Sequence, residues 1–474
     1  MKKEWIQGAN PYMPLWEHVP DGEPRVFTYQ GETRVYVYGS HDTEKTEYCG
    51  RDYVVWSAPV NDLTKWRCHG VCYEAQDHSI LYAPDVVQKG DTFYIYAAEQ
   101  KGAVIRVAKS KTPWGPFTDP VKTDLGFDPG ILVDDDGRVY AYWGFVLSHC
   151  AELNEDMATI KPGTLHDHPL GHCRVEWDWV PREETHQDDY DAFFEASSPR
   201  KIFGKYVYIY SRRVNKPVPE LGVHEDCNGF LSYRVSDHPL TGFKDGGDLS
   251  FNGGEILKNQ DGTGVMTYRW GNNHGSVMNV NGSWYVFYHR HTGADEYARQ
   301  AMLEPIDAAQ DKDGKIYLGK ITYRDGEPVS SCPVDMTSQG PHVNGLDARK
   351  WISAGYACHV TGGAFIQPVY EQREDISAPI IHIQDGTVAG FRYLQFGRNA
   401  PASITVCASA STDAEISVRL DEPGGKEIAR IPLHPGQDEY FYPVAEGILG
   451  KRAVYFLFRL REGTDAILDR FTFD

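Results

Sequence analysis

Five polar side chains, Glu23, Asp85, Asp128, Glu195 and His274, stand at matching places in five similar stretches of the chain, each next to a proline, glycine or alanine. At a similar interval after each comes a run of alternating aromatic or β-branched residues: TRVYVYGS from Thr33, DTFYIYAA from Asp91, GRVYAYWG from Gly137, GKYVYIYS from Gly204 and GSWYVFYH from Gly282. Four carboxylates and an imidazole gathered in one place could share the proton transfers that cleave a bond between sugars, in which one carboxyl gives a proton and another takes one. Whether they meet depends on the elements that carry them.

Period-two alternation after a Gly or polar turn is the pattern of a half-buried strand, here the second of an antiparallel pair whose first strand carries the polar residue. Repeated five times, it predicts a five-bladed β-propeller, in which the first strand of each blade lines the central channel and equivalent positions converge on one mouth. The spacing between units is uneven and long for a propeller, so large loops must be inserted, and these would shape the pocket. After ARQAMLEPIDAAQDKDGKIYL, read as closing strands, the repeat stops near residue 330. From Asp347 the text becomes FRYLQFG, ASITVCAS, EISVRLDEPGG, EIARIPL, AVYFLFRL and DRFTFD, strands separated by Gly and Asp turns in the rhythm of a β-sandwich. The expected fold is therefore all-β: a propeller over residues 1–330, a polar linker near SCPVDMTSQGPHVNG, and a jelly-roll sandwich over residues 331–474.

Composition narrows the partners. At 474 residues the chain fits two domains. A net charge of −20 with no basic patch argues against nucleic acid and against an anionic membrane. No apolar run reaches signal-peptide or transmembrane length. Nine scattered cysteines fit reduced thiols better than a disulfide framework, and together these features predict a cytoplasmic protein. His166, His168, His172 and Cys173 imitate a metal site, but without ligand spacing or a second cysteine pair they are expected to form a loop without metal. The acidic stretch that follows reads as a solvated face, with Trp177 and Trp179 as rim contacts.

Taken in order, NPYMPLWEHVPDGEPRVF, YAPDVV, FDPGILVDDDGRVY, FFEASSPRKIFGKYVYIYS, NNHGS and ARQAMLEPI resemble glycoside hydrolase family 43. The resemblance covers the first 325 or so residues and implies a five-bladed propeller acting on plant-type pentose polymers. The tail resembles carbohydrate-binding module family 6. Its ILDRFTFD places Leu468, Asp469 and Arg470 where that module uses an Asn and exposed aromatics, so the tail is expected to pack on the propeller for stability.

The resemblance implies that Glu195 is the general acid and Asp128 the carboxylate that tunes it, and it places His274 and Arg299 in the channel. Asp85, His274 and Arg299 are thus the expected substrate-binding set. For the general base, aligning Pro24 and the strand RVF points to Glu23 where the family has an Asp, with Asp21 as the alternative. The implied reaction is exo-acting hydrolysis with inversion, and the implied partner an oligosaccharide. An α-L-arabinofuranosidase is the first reading, a β-xylosidase or β-galactofuranosidase the next, and an inactive carbohydrate-binding protein the reading from another class. No cofactor is required; a structural calcium could sit near His274 or in the tail, where oxygen-rich turns suit hard cations. Oligomeric state has no signature in the chain.

Overall fold

The computed structural model describes residues 6–101, 103–172, 191–334, 339–370 and 377–474. The described chain is all-β, with only two 3-10 turns, Pro219–Leu221 and Ala354–Tyr356, of helical character. No helix among these residues is long and apolar enough to cross a membrane.

Five antiparallel sheets follow one another along the chain, each built from consecutive strands in meander order. The first begins with Glu23–Tyr29 and Glu32–Tyr38, the second with Leu81–Lys89 and Thr92–Glu99, and the third with Gly130–Val133 and Val139–Trp143. The fourth begins with Asp191–Ile202 and Lys205–Val214, and the fifth with Ser276–Val280 and Ser283–His291. All five alternating segments are thus second strands. The closing segment supplies Arg299–Gln310 and Ile316–Arg324 of the fifth sheet, whose last strand, Glu327–Cys332, runs two residues past the expected boundary.

Apolar side chains between sheets hold the set together. One cluster joins the first two sheets through Phe27, Val55, Val86 and Phe93, and others join the second to the third, the third to the fourth and the fourth to the fifth. Another packs Val35, Val37 and Trp56 of the first sheet on Val280, Phe287 and Leu303 of the fifth. Tyrosines in these layers bond across them: Tyr53 donates to the Tyr82 carbonyl at 2.5 Å, and Tyr96, of the second alternating segment, to the Met157 carbonyl at 2.8 Å. Strand Glu23–Tyr29 touches both Leu81–Lys89 and Ser276–Val280, and Gly130–Val133 touches the leading strands of the second and fourth sheets. Gly130 is required at this last contact, because a Cβ there would lie 2.2 Å from the Ser197 carbonyl oxygen.

The tail forms two six-stranded sheets that share no strand pairing with the first five. Phe391 and Phe456 of one sheet meet Phe471 of the other, both at a ring separation of 4.7 Å, in a common core. All six expected tail strands are present; Glu439–Pro443 is an edge strand that the sequence reading did not identify. Tyr268, Ala9 and Leu15 from the N-terminal part also enter this core. Across the junction, Val360 and Ile366 donate backbone hydrogen bonds to Thr267 and Thr292, both at 2.9 Å, and Arg392 pairs with Glu255.

His166, His168 and His172 lie on the fourth strand of the third sheet, His166–His172, rather than in the expected loop. Cys173, Trp177 and Trp179 lie outside the described residues. Among the described residues, no group of three or more His, Cys, Asp or Glu is arranged to hold a metal.

Candidate active site

Asp21, Asp128, Glu195, His274 and Arg299 line one cavity of about 550 Å³. They arrive from the entrances of the first, third, fourth and fifth sheets, where the ladders begin or are broken. Asp21 and Asp128 both have left-handed backbone, at φ 58° and 49°, as does Ala196 next to Glu195 at 67°. Strand Asp191–Ile202 also shifts register on either side of Glu195. Such kinks re-aim a side chain that regular alternation would point elsewhere.

Asp21 is buried and surrounded by donors. Arg299 Nη1 lies 3.1 Å from its Oδ1, Ser40 Oγ donates to Oδ2, and His289 Nδ1 stands 3.3 Å from Oδ1. Burial alone would push its pKa up, but Arg299, the His289 contact and His274 outweigh it and hold the carboxyl well below its ordinary range. Arg299 is itself fixed by Asp42, which accepts from its Nε at 3.0 Å, its Nη2 at 2.8 Å and its backbone N–H at 3.0 Å. Asp42 was not identified from the sequence; the only available clue was its place just after the second strand of the first sheet.

Glu195 lies in the opposite environment. Phe127, Phe145 and Phe194 form an apolar wall, with ring separations of 5.5 Å and 5.2 Å between successive pairs. Burial, reinforced by the negative charge of Asp21, pushes the Glu195 carboxyl up to about 8 against the opposing pull of Arg299 and Arg213. Asp128 is pushed up as well, by burial and then by Glu195 and Asp21, although the Ala196 N–H donates to its Oδ2 at 3.2 Å. His274 Nδ1 stands 3.8 Å from Asp21 and 3.7 Å from Asp128, between the ionised and the protonated sides of the cavity. The remaining rim is polar: Asn228 donates to Asn272 and Asn272 to the Tyr48 hydroxyl, each at 2.7 Å. Of this rim, only Asn272 fell within a motif the sequence analysis used.

Glu23 and Asp85 do not line the cavity, and the expected convergence of all five polar residues is corrected accordingly. Glu23 lies on the regular part of its strand, paired with Tyr38, on the same face as Arg25. It accepts from Arg200 Nη2 at 2.5 Å and from Ser198 Oγ at 3.0 Å. Asp85 is gripped by Arg25 Nη2 at 2.7 Å and 2.6 Å and by the Ile131 N–H at 2.6 Å. These two carboxylates and two guanidinium groups form a closed set of buried charges. A divalent cation would not fit among these four side chains, since the neutralising charge is already present and would repel it.

One carboxylate held ionised and another held protonated in a single cavity is the arrangement of a hydrolase that uses a general base and a general acid. The family model for "Glycosyl hydrolases family 43" matches residues 21–167. The chain is 31% identical to a xylosidase/arabinosidase of Thermoclostridium stercorarium over 96% of each chain. It is 26% identical to an arabinoxylan arabinofuranohydrolase of Paenibacillus polymyxa, covering 89% of this chain and 67% of that one. Among solved structures, a family 43 arabinoxylan arabinofuranohydrolase from Bacillus subtilis in complex with cellotetraose aligns over 100% of this chain and 98% of the other, at 20% identity and a TM-score of 0.47. This chain belongs to glycosyl hydrolase family 43. It is a glycosidase that hydrolyses O-glycosyl bonds.

Proposed function

We propose that this glycosidase removes terminal pentose residues, α-L-arabinofuranose foremost, from plant-type oligosaccharides, with inversion at the anomeric carbon. The observation that carries the reading is the opposed charge state of Asp21 and Glu195 in one cavity. Glu195 gives its proton to the departing glycosidic oxygen. A water attacks the anomeric carbon from the other face of the ring, and Asp21 takes that water's proton. Asp128, itself pushed up by burial and then by Glu195 and Asp21, positions the acid through the Ala196 backbone. Arg299, fixed by Asp42, keeps Asp21 ionised. Asp21 therefore replaces Glu23 as the proposed base, and Glu23 and Asp85 become parts of the channel's structural support.

An inverting site needs about 6.5–9.5 Å between acid and base, so that a water fits beneath the sugar. Asp21, at the entrance of the first sheet, and Glu195, on the fourth, line one cavity of about 550 Å³, room enough for a water and a sugar, which supports that geometry. Cyclic packing of the five sheets supports a five-bladed propeller as the scaffold, and two facing sheets with a common phenylalanine core support a C-terminal β-sandwich. The β-xylosidase reading stands second, favoured by the dual name of the Thermoclostridium relative. A cytoplasmic address is part of the proposal, supported by the described cysteines, Cys49 to Cys407, which are all free thiols.

The test is a panel of nitrophenyl glycosides, α-L-arabinofuranoside, β-D-xyloside and β-D-galactofuranoside foremost, with the released sugar followed by proton NMR. Release of arabinose, first seen in the inverted configuration, is expected. Release of a retained anomer, or turnover of none of the pentosides, would refute the reading.

A further inference from the structure

A second cavity, of about 760 Å³, opens where the fifth sheet meets the tail. Its lining comes from both parts of the chain and includes Asn259, Tyr268, Arg269 and His291 on one side and Thr361 and Phe365 on the other. It is the size of a ligand pocket and larger than the active-site cavity.

His291 is buried beneath this cavity at 1% exposure, with the Gly271 backbone against its ring. Burial, then the neighbouring His289, Arg299 and Arg269, keep this imidazole neutral, so the cavity floor carries no charge of its own there. A neutral ligand rich in hydroxyl groups suits such a floor. Phe365, stacked on His382 at 5.0 Å, offers a ring supported from behind, and Thr361 and Asn259 add neutral polar groups.

The cavity also lies close to the catalytic one. Arg269 lines it, while Asn272, three positions on, lines the active site. The intervening Gly271 is pinned by Asn252, which donates to its carbonyl at 2.6 Å and accepts from its N–H at 3.0 Å. This segment is thus a fixed wall between two pockets. On the other side, His291 pairs in register with Arg299, the residue that holds Asp21.

We propose that this junction cavity is a second carbohydrate-binding site, which takes a neutral pentose oligosaccharide chain while a terminal residue of the substrate occupies the catalytic cavity. The inference rests on the pentosidase reading for the identity of the chain. It also gives the tail a part in binding, through Phe365 and Thr361, in place of packing alone.

The test uses the full chain carrying Glu195→Gln, titrated calorimetrically with arabinose-substituted xylo-oligosaccharides and, separately, with free arabinose. Two classes of oligosaccharide site are expected, one of them lost when Ala294→Trp blocks the mouth of the junction cavity or Phe365→Ala removes its platform. In the otherwise unaltered enzyme, Ala294→Trp is expected to leave turnover of a nitrophenyl pentoside within twofold and to lower kcat/KM on the oligosaccharide at least fivefold. Pentoside turnover together with a single class of oligosaccharide site, unchanged by both substitutions, would overturn the second site and leave the pentosidase reading intact. A junction site filled by free arabinose as tightly as by the chain would overturn the choice of ligand. Absence of pentoside turnover would overturn the reading on which both depend.

Discussion

Replacing Glu195 with glutamine should remove catalysis and stabilise the protein at alkaline pH. The acid's pKa rises from an ordinary 4.5 to about 8 in the folded chain, burial being the main cause and the charge of Asp21 the next. A carboxyl raised in this way binds its proton more tightly folded than unfolded. Its contribution is fully present below pH 4.5 and is lost as the pH climbs through about 8. At roughly 1.4 kcal/mol per unit, the loss across that window is about 5 kcal/mol, a ceiling because Asp128 shares the same buried site and titrates with it. Glu195→Gln carries no such proton. Urea unfolding at pH 5 and pH 9 should therefore show a smaller fall in stability for the variant than for the parent, by several kcal/mol. In the parent, kcat/KM on an unactivated disaccharide should fall above about pH 8 and hold its value down to below the ordinary carboxylate range, because Asp21 stays ionised there. Glu195→Ala should keep part of its activity on substrates with good leaving groups, which need little help from an acid. An alkaline limb near pH 5, or identical stability profiles for parent and Glu195→Gln, would refute the placement of a protonated acid at this position.

Other consequences concern the groups around the carboxylates. Asp42→Asn removes the charge that fixes Arg299, so the acid limb of kcat/KM should move up in pH and kcat should fall about tenfold or more, with KM changing less; an unmoved acid limb would remove Asp42 from this role. Prolonged treatment with EDTA should leave activity within twofold, since Arg25 and Arg200 already neutralise Asp85 and Glu23. Activity lost to the chelator and restored by calcium would contradict that. Gly130→Ala should destabilise the fold by about 2 kcal/mol or more, because its Cβ meets the Ser197 carbonyl at 2.2 Å, and thermal unfolding reads this directly.

Much of the scaffold was legible in the sequence because period two is a direct imprint of a strand that buries one face. TRVYVYGS, DTFYIYAA, GRVYAYWG, GKYVYIYS and GSWYVFYH are each the second strand of a sheet. Asp128, Glu195 and His274, each next to a Pro, Ala or Gly, do share one cavity. Among the carboxylates of the first sheet, Glu23 was ranked ahead of Asp21 because Pro24 and the strand RVF were taken as the anchor. The structure places that stretch in regular register and the turn toward the cavity two residues earlier, at a left-handed backbone that no side-chain pattern announces. Asp85 looked like a site residue because its partner is far away in sequence: Arg25 lies 60 residues before it. The same reason hid Asp42, whose role depends on Arg299, 257 residues later. The edge strand Glu439–Pro443 was missed because EYFYP exposes Phe441, and aromatic content there does not follow the burial pattern of a core strand.

Asp21→Asn and Glu23→Gln, compared in parallel, test the central assignment most directly. Both substitutions conserve shape, and circular dichroism with thermal unfolding would confirm that each variant folds. Breaking the buried Glu23–Arg200 pair should cost stability, on the order of 3–5 kcal/mol, yet leave folded enzyme with kcat/KM within tenfold of the parent. Asp21→Asn should stay folded and lose activity by about 10²–10⁴, the range for a missing general base, with part of it restored by azide, which needs no base to attack. Near-parental activity in Asp21→Asn, with folded Glu23→Gln inactive, would contradict the account.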